Sequence, residues 1–273
     1  IKNSYIDLPS KFYSKQLPEK VLNPQIKYFN SKLALQLGLE FLSKSEILDY
    51  FSGNRIPKGA ISISQAYAGH QFGNFTVLGD GRAVLIGEQI TPKKKRYDIQ
   101  LKGSGKTPYS RLGDGKATLT SVLREYVISE AMYHLKIPTS RSLSIIKTGE
   151  NVYRNETYEG GILTRICSSH IRFGTFEFAS RFCSIEDLKI FIKYVIDRHY
   201  PQISNADNPT LELLKLVMIK QIDLIINWMR VGFIHGVMNT DNMSIIGETI
   251  DYGPCAFMNV YDPYTVFSSI DVN

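Results

Sequence analysis

The sequence predicts an α+β fold in two lobes, the first rich in strands and the second helical. Three observations carry this. Val84 to Gln89 and Tyr97 to Lys102 alternate β-branched and other apolar residues with polar ones, as the arms of a hairpin do. Thr118 to Lys136 places Leu119, Val122, Leu123, Tyr126 and Val127 at helical intervals. After Thr175 the character changes, and Ile185 to His199 and Leu211 to Ile234 read as long helices. Ser142 to Lys147 and Tyr158 to Ile166 supply further strands. Residues 1–60 form an N-terminal extension, with a helix around Ser31 to Leu39 and a turn at Ser52-Gly53-Asn54. The lobes are expected at 61–174 and 175–273, with a hinge near Arg172 to Glu177.

Composition narrows the class. The chain has 273 residues, 43% hydrophobic and 21% charged, values ordinary for a globular protein with a sizeable core. No apolar run reaches the roughly 18 residues of a membrane span. The densest candidate, Leu211 to Ile234, is broken by Lys215, Lys220, Gln221, Asp223 and Arg230. A net charge of +6 permits an anionic ligand without demanding one. The one basic run, Lys93 to Arg96, follows Thr91-Pro92 and reads as a solvated hairpin turn. No basic stripe with interleaved aromatics suggests a nucleic-acid partner. Cys167, Cys183 and Cys255 show neither a CxxC pair nor zinc spacing, so free thiols in a reducing compartment are expected. No secretory or transit segment is visible. Without an initiator Met and ending in SSIDVN, the chain is expected to be a fragment whose C-terminal part is missing.

Residues 235–253, HGVMNTDNMSIIGETIDYG, carry the densest chemistry. In protein kinases the catalytic loop runs His-Arg-Asp to an Asn seven residues after the His, and a DFG turn follows. His235 and Asn242 keep that interval, and Asp251-Tyr252-Gly253 stands where DFG would. The position of the catalytic Asp is Val237, which cannot accept a proton. Asp241 is the free carboxylate able to orient or deprotonate a hydroxyl. Asn242 and Asp251 offer oxygen ligands suited to Mg²⁺. His235 reads as a packing residue rather than a ligand. The whole pattern is protein-kinase-like.

Four segments upstream suit phosphate. Gly79-Asp80-Gly81-Arg82 offers backbone donors and a guanidinium, although Gly-Asp-Gly is equally a tight turn. Lys102 ends a strand and Glu125 lies on the following helix, as in the kinase Lys–Glu pair that holds nucleotide phosphates. Alternatively Lys102 is a solvated strand end and Glu125 a surface residue; outside the apolar stripe, Glu125 fits a face toward solvent or toward a second lobe equally well. Asp114-Gly115 precedes that helix as an anion site, an N-terminal cap, or both. Arg165 and Arg172 make sense if a triphosphate tail points inward to them; ion pairing is the plainer alternative. The run Gln65 to Gly73 suggests a shaped loop and names no chemistry.

Taken together, AYAGHQFGNFTVLGDGRAVLIGE, DIQLKGSGKTPYSRLGDGKATLTSVLREY, LTRICSSHIRFGTFE and HGVMNTDNMSIIGETIDYGPCAFM resemble the selenoprotein O family over the whole chain. Those proteins are kinase-fold pseudokinases acting as protein adenylyltransferases. The resemblance implies transfer of AMP from ATP, bound in flipped orientation, to Ser, Thr or Tyr hydroxyls of acceptor proteins. It implies Mg²⁺, with Mn²⁺ as an alternative. Residue by residue, it assigns Lys102 and Glu125 to the phosphate-holding ion pair. Gly79, Gly81, Arg82, Asp114 and Gly115 line the nucleotide loops. Arg165 and Arg172 take the γ-phosphate, Asn242 and Asp251 hold the metal, and Asp241 is the base. It places bacterial members in the cytoplasm and eukaryotic ones in mitochondria. Family members continue past this C-terminus, and an activation-segment cysteine of some relatives is not evident at Phe267-Ser268-Ser269. The alternatives are a phosphotransferase with a displaced base and an inert nucleotide-binding scaffold.

Overall fold

The computed structural model describes residues 1–71 and 73–265, and the Phe267-Ser268-Ser269 segment lies outside them. The described chain mixes helices with antiparallel strands, an α+β class. In order, the elements are β1 (Tyr13–Lys15), β2 (Gln25–Phe29), α1 (Ser31–Leu37), α2 (Lys44–Phe51), β3 (Ile63–Gln65), β4 (Ala68–Gln71), β5 (Asn74–Val77), β6 (Ala83–Ile90) and β7 (Arg96–Lys102). There follow β8 (Ala117–Thr118), α3 (Leu119–His134), β9 (Arg141–Tyr153), β10 (Thr157–Cys167), α4 (Phe173–Phe182), α5 (Ile185–His199), α6 (Pro209–Arg230), β11 (Phe233–Ile234) and β12 (Ala256–Phe257). The chain divides into two compact units, one of residues 1–66, 78–131 and 140–169, the other of 67–77, 132–139 and 170–273.

The first unit is built on one sheet in the order β1-β3-β6-β7-β10-β9-β2, with β8 also paired to β10. Residues 1–60 therefore contribute two of its strands, β1 against β3 and β2 against β9. The expected hairpin is β6–β7, and its turn is closed by Thr91 N donating to Lys95 O at 2.8 Å, with Lys94 at φ +60°. Cross-strand partners point to the same side of a sheet. Lys102 opposes Leu163 and Gln100 opposes Arg165, so these four share one face, while Ile99 and Leu101 take the other. The Ile99–Leu101 face packs with Leu37, Phe51, Val84 and Ile146 into the main core. A smaller cluster of Ala117, Val122, Ile145 and Leu163 seats α3 on the opposite face.

On α3 the sequence misled about the buried stripe. Leu123 and Val127 are exposed, while Val122, Glu125, Ser129 and Met132 are buried at spacings of three and four. Glu125 is turned inward because cations on the sheet face await it, so a polar position belongs to the packed side of the helix.

In the second unit α5 begins at a reciprocal cap, Ser184 accepting from Asp187 N at 3.1 Å and Asp187 accepting from Ser184 N at 3.2 Å. Asn208 caps α6, and Pro209 fills its first position. α6 buries Leu213, Val217, Leu224 and Trp228. It stops at Arg230 rather than running to Ile234, because Gly232 takes φ +65° and its N–H bonds Met229 O. Phe233–Ile234 then pairs with β12, bracketing the loop between them. Among the described residues no helix is long and apolar enough to cross a membrane. None of the three cysteines is held in a disulfide.

Candidate functional site

In the first unit the sheet register and α3 bring three charges together. Lys102 Nζ lies 2.5 Å from Glu125 Oε2, and Arg165 Nε lies 2.5 Å from Glu125 Oε1. Glu125 is 1% exposed. Burial alone would raise its pKa, but the Arg165 guanidinium and the Lys102 ammonium outweigh burial and hold the carboxyl below its usual range. Arg165 Nη1 also donates to Gln100 Oε1 at 3.2 Å, and Gln100 Nε2 donates to Asp80 Oδ2 at 3.3 Å. Of these, Gln100 was not singled out in the sequence, and Asp80 only as part of a Gly-Asp-Gly turn. An amide in the middle of a strand leaves no motif.

Asp80 locks the Gly79–Arg82 segment as a tight turn by accepting from Gln65 N at 3.0 Å. Gly79 has φ +138°, and a Cβ there would lie 2.5 Å from the Tyr109 ring. Arg82 is exposed. Asp114 accepts from both Arg154 Nη atoms at 2.8 and 2.9 Å and from Lys116 N at 2.9 Å. The Arg154 bonds, together with the Lys116 backbone N–H, lower its pKa against the opposing effect of burial. It does not cap α3: β8 intervenes, and Thr118 Oγ1 accepts from Ser121 N at 3.2 Å instead. Gly115, at φ +69°, passes so close to Gly105 that a Cβ would sit 2.0 Å from its carbonyl oxygen.

The second unit gathers the other group. Arg172, 2% exposed, precedes α4 and donates through Nη1 to Asp241 O at 2.6 Å and to Asp251 Oδ2. Its guanidinium lies 4.6 Å from the centroid of the Tyr67 ring. Arg165 and Arg172 thus each sit in an ion pair, one in each unit. Asp251 is a non-glycine residue at φ +57°, a conformation that Asp tolerates better than most and that often marks functional positions. His235 is a packing residue, as expected: its Nε2 bonds Ile250 O at 2.8 Å and its ring stacks on Trp228. Burial lowers its pKa.

Asp241 is 5% exposed, and its Oδ1 has no hydrogen-bond partner. Burial raises its pKa, its own backbone N–H and Arg172 oppose the rise, and Asp251 and Glu177 add to it. The room for this side chain comes from glycine. A Cβ on Gly69 would meet Asp241 Oδ1 at 2.3 Å, and one on Gly174 would meet Ala68 O at 2.1 Å. Gly69→Ala is therefore expected to destabilise the second unit by about 1–3 kcal/mol. The urea midpoint should fall with an unchanged m-value. Asn242, half-buried, follows Asp241 in the same short turn, Thr240–Asn242.

A family model described as protein adenylyltransferase SelO matches residues 1–273. The chain belongs to the SelO family. SelO relatives called protein nucleotidyltransferase YdiU are closely similar. One from Brevibacillus brevis is 60% identical over 272 residues, covering 99% of this chain and 55% of the relative. One from Clostridium botulinum strain Okra is 57% identical over 274 residues, covering 100% and 56%. One from Pelagibacter ubique is 58% identical over 271 residues, covering 98% and 56%. The chain spans about half the length of these curated SelO relatives.

Proposed function

We propose that the SelO-family protein containing this chain transfers AMP from ATP to Ser, Thr or Tyr hydroxyls of acceptor proteins. The observation that carries the reading is Asp241, a buried carboxylate with a partnerless oxygen, four residues after the Val237 that stands where kinases keep their base. The donor set suits a divalent ion of the Mg²⁺ or Mn²⁺ kind: Asn242 and Asp251 supply hard oxygens, and the orphan oxygen of Asp241 lies in the same turn as Asn242. Asn242 and Asp251 would hold it, and when bound it neutralises phosphate charge.

The acceptor hydroxyl oxygen forms a bond to the α-phosphorus, and the bond from that phosphorus to the bridging oxygen of the β-phosphate breaks. Asp241 receives the hydroxyl proton, which its raised pKa favours. Lys102, held by Glu125, and the guanidiniums of Arg165 and Arg172 stabilise the departing pyrophosphate. Backbone N–H groups around Gly79, Gly81 and Gly115, with Arg82 and Asp114, would line the nucleotide. The arrangement we infer is kinase-like, with lobes at 61–174 and 175–273 and ATP reversed so that its α-phosphate meets the acceptor.

The test is incubation of the full-length protein and acceptors with ATP labelled at either the α- or the γ-phosphate. AMP transfer leaves only the α label on protein. Retention of the γ label alone would identify a phosphotransferase, and ATP binding without either label would identify an inert scaffold.

A further inference from the structure

The turn Thr240–Asn242 carries the proposed base and a proposed metal ligand, yet no side chain caps it from within. Its internal support is slight: Asn242 N bonds Asn239 O at 2.9 Å, and Asn239 N bonds Val237 O at 2.8 Å. Two residues of α4 and its cap hold it from outside. Arg172 grips the Asp241 carbonyl. One and a half turns further on, Glu177 Oε2 accepts the Thr240 hydroxyl at 2.8 Å. Glu177 Oε1 lies 3.8 Å from His70 Nδ1 on β4, the strand whose Gly69 clears Asp241.

The Asp241 carbonyl, held by Arg172, and the Met243 carbonyl, which accepts from Phe173 N at 3.1 Å, fix the far side of the turn but not the backbone before the carboxylate. The Thr240 bond to Glu177 adds a hold one residue before Asp241. We propose that Glu177 is a positioning residue that, through the Thr240 hydroxyl, aims the Asp241 carboxylate at the acceptor. This rests on the reading of Asp241 as the base. Glu177 touches no reacting atom in this account. It acts through a charge-assisted hydrogen bond, the stronger kind, and misplacement of a catalytic group by about 1 Å costs on the order of 10²-fold in rate.

The test uses the full-length protein with Glu177→Ala, Glu177→Gln, Thr240→Val and the Ala/Val double variant. Active fraction is set by ATP-binding stoichiometry. Glu177→Ala and Thr240→Val should each lower kcat for AMP transfer by about 10²-fold with KM for ATP unchanged. The double variant should lose no more than either single one, because both remove the same bond. Glu177→Gln should recover most of the rate, since its amide oxygen still accepts the Thr240 proton. Additive losses, an unchanged kcat, or a Gln variant as slow as the Ala variant would overturn the proposal. A second readout does not depend on transfer. Hydrogen exchange of the 239–243 amides should quicken in Glu177→Ala and Thr240→Val and stay slow in Glu177→Gln. Unchanged exchange would refute positioning by Glu177 even if the wild type transfers no AMP, whereas quickened exchange without transfer would support the anchor and count against the AMP-transfer reading alone.

Discussion

Asp241→Asn is expected to lower AMP transfer by about 10²–10⁴-fold, the usual contribution of a positioned general base, while making the protein more stable. The two effects have one cause. Asp241 is buried with one oxygen unpartnered, and burial pushes its pKa up, so the folded chain holds an ionised carboxylate at a cost. A neutral amide of the same shape removes that cost. A gain of about 1 kcal/mol is expected, as for other substitutions that relieve a destabilised functional site. Transfer of label from α-labelled ATP and thermal unfolding of the same preparation check both signs. Undiminished transfer would remove Asp241 from the chemistry, and a lower melting temperature would contradict the desolvation account.

Glu125→Gln should do the reverse to stability. Neutralising Glu125 removes the carboxylate that both buried cations, Lys102 and Arg165, contact. Breaking a buried ion pair from one side costs about 3–5 kcal/mol. In a unit of this size that corresponds to a fall in Tm on the order of 10 °C. The pH dependence has a definite sign. The folded pKa of Glu125 is depressed, so its contribution is complete above the ordinary glutamate value of about 4.3 and is lost as pH falls through the folded value. The gap in Tm between wild type and variant should stay constant from neutral pH down to about 5 and narrow on further acidification. A gap that widens in acid would show that Glu125 is not the stabilised anion. Because Lys102 is the proposed phosphate-holding cation, the loss of its Glu125 partner should also reduce transfer.

How much of this was legible beforehand depends on the range of the interaction. The β6–β7 hairpin and α5 follow from alternation and helical spacing, and α5 ends at the residues the sequence suggests. The His235 to Asp251 intervals pointed to the residues proposed above as base and metal ligands. α3 was legible as a helix but not in its orientation. Apolar spacing pointed to Leu123 and Val127, which are exposed, and away from Glu125, which is buried. Asp114-Gly115 was read as an anion site, a cap, or both, and the intervening β8 gives the capping role to Thr118. Gln100 and Glu177 had no local signature, and Asp80 had only its Gly-Asp-Gly turn, because the partners of all three lie on other elements.

From the sequence by itself came the α+β class, carried by periodicity, and the family, carried by resemblance over long segments. The residues proposed for phosphate and metal were named from intervals and from that resemblance. Only the tertiary structure decided that Arg165 joins Lys102 on Glu125, that Arg172 meets Asp251, and that the Thr240 hydroxyl bonds Glu177. Those pairings depend on strand register and on which side of a helix is turned inward. Both are settled by packing and by the cost of leaving a buried charge alone, which no spacing in the chain records.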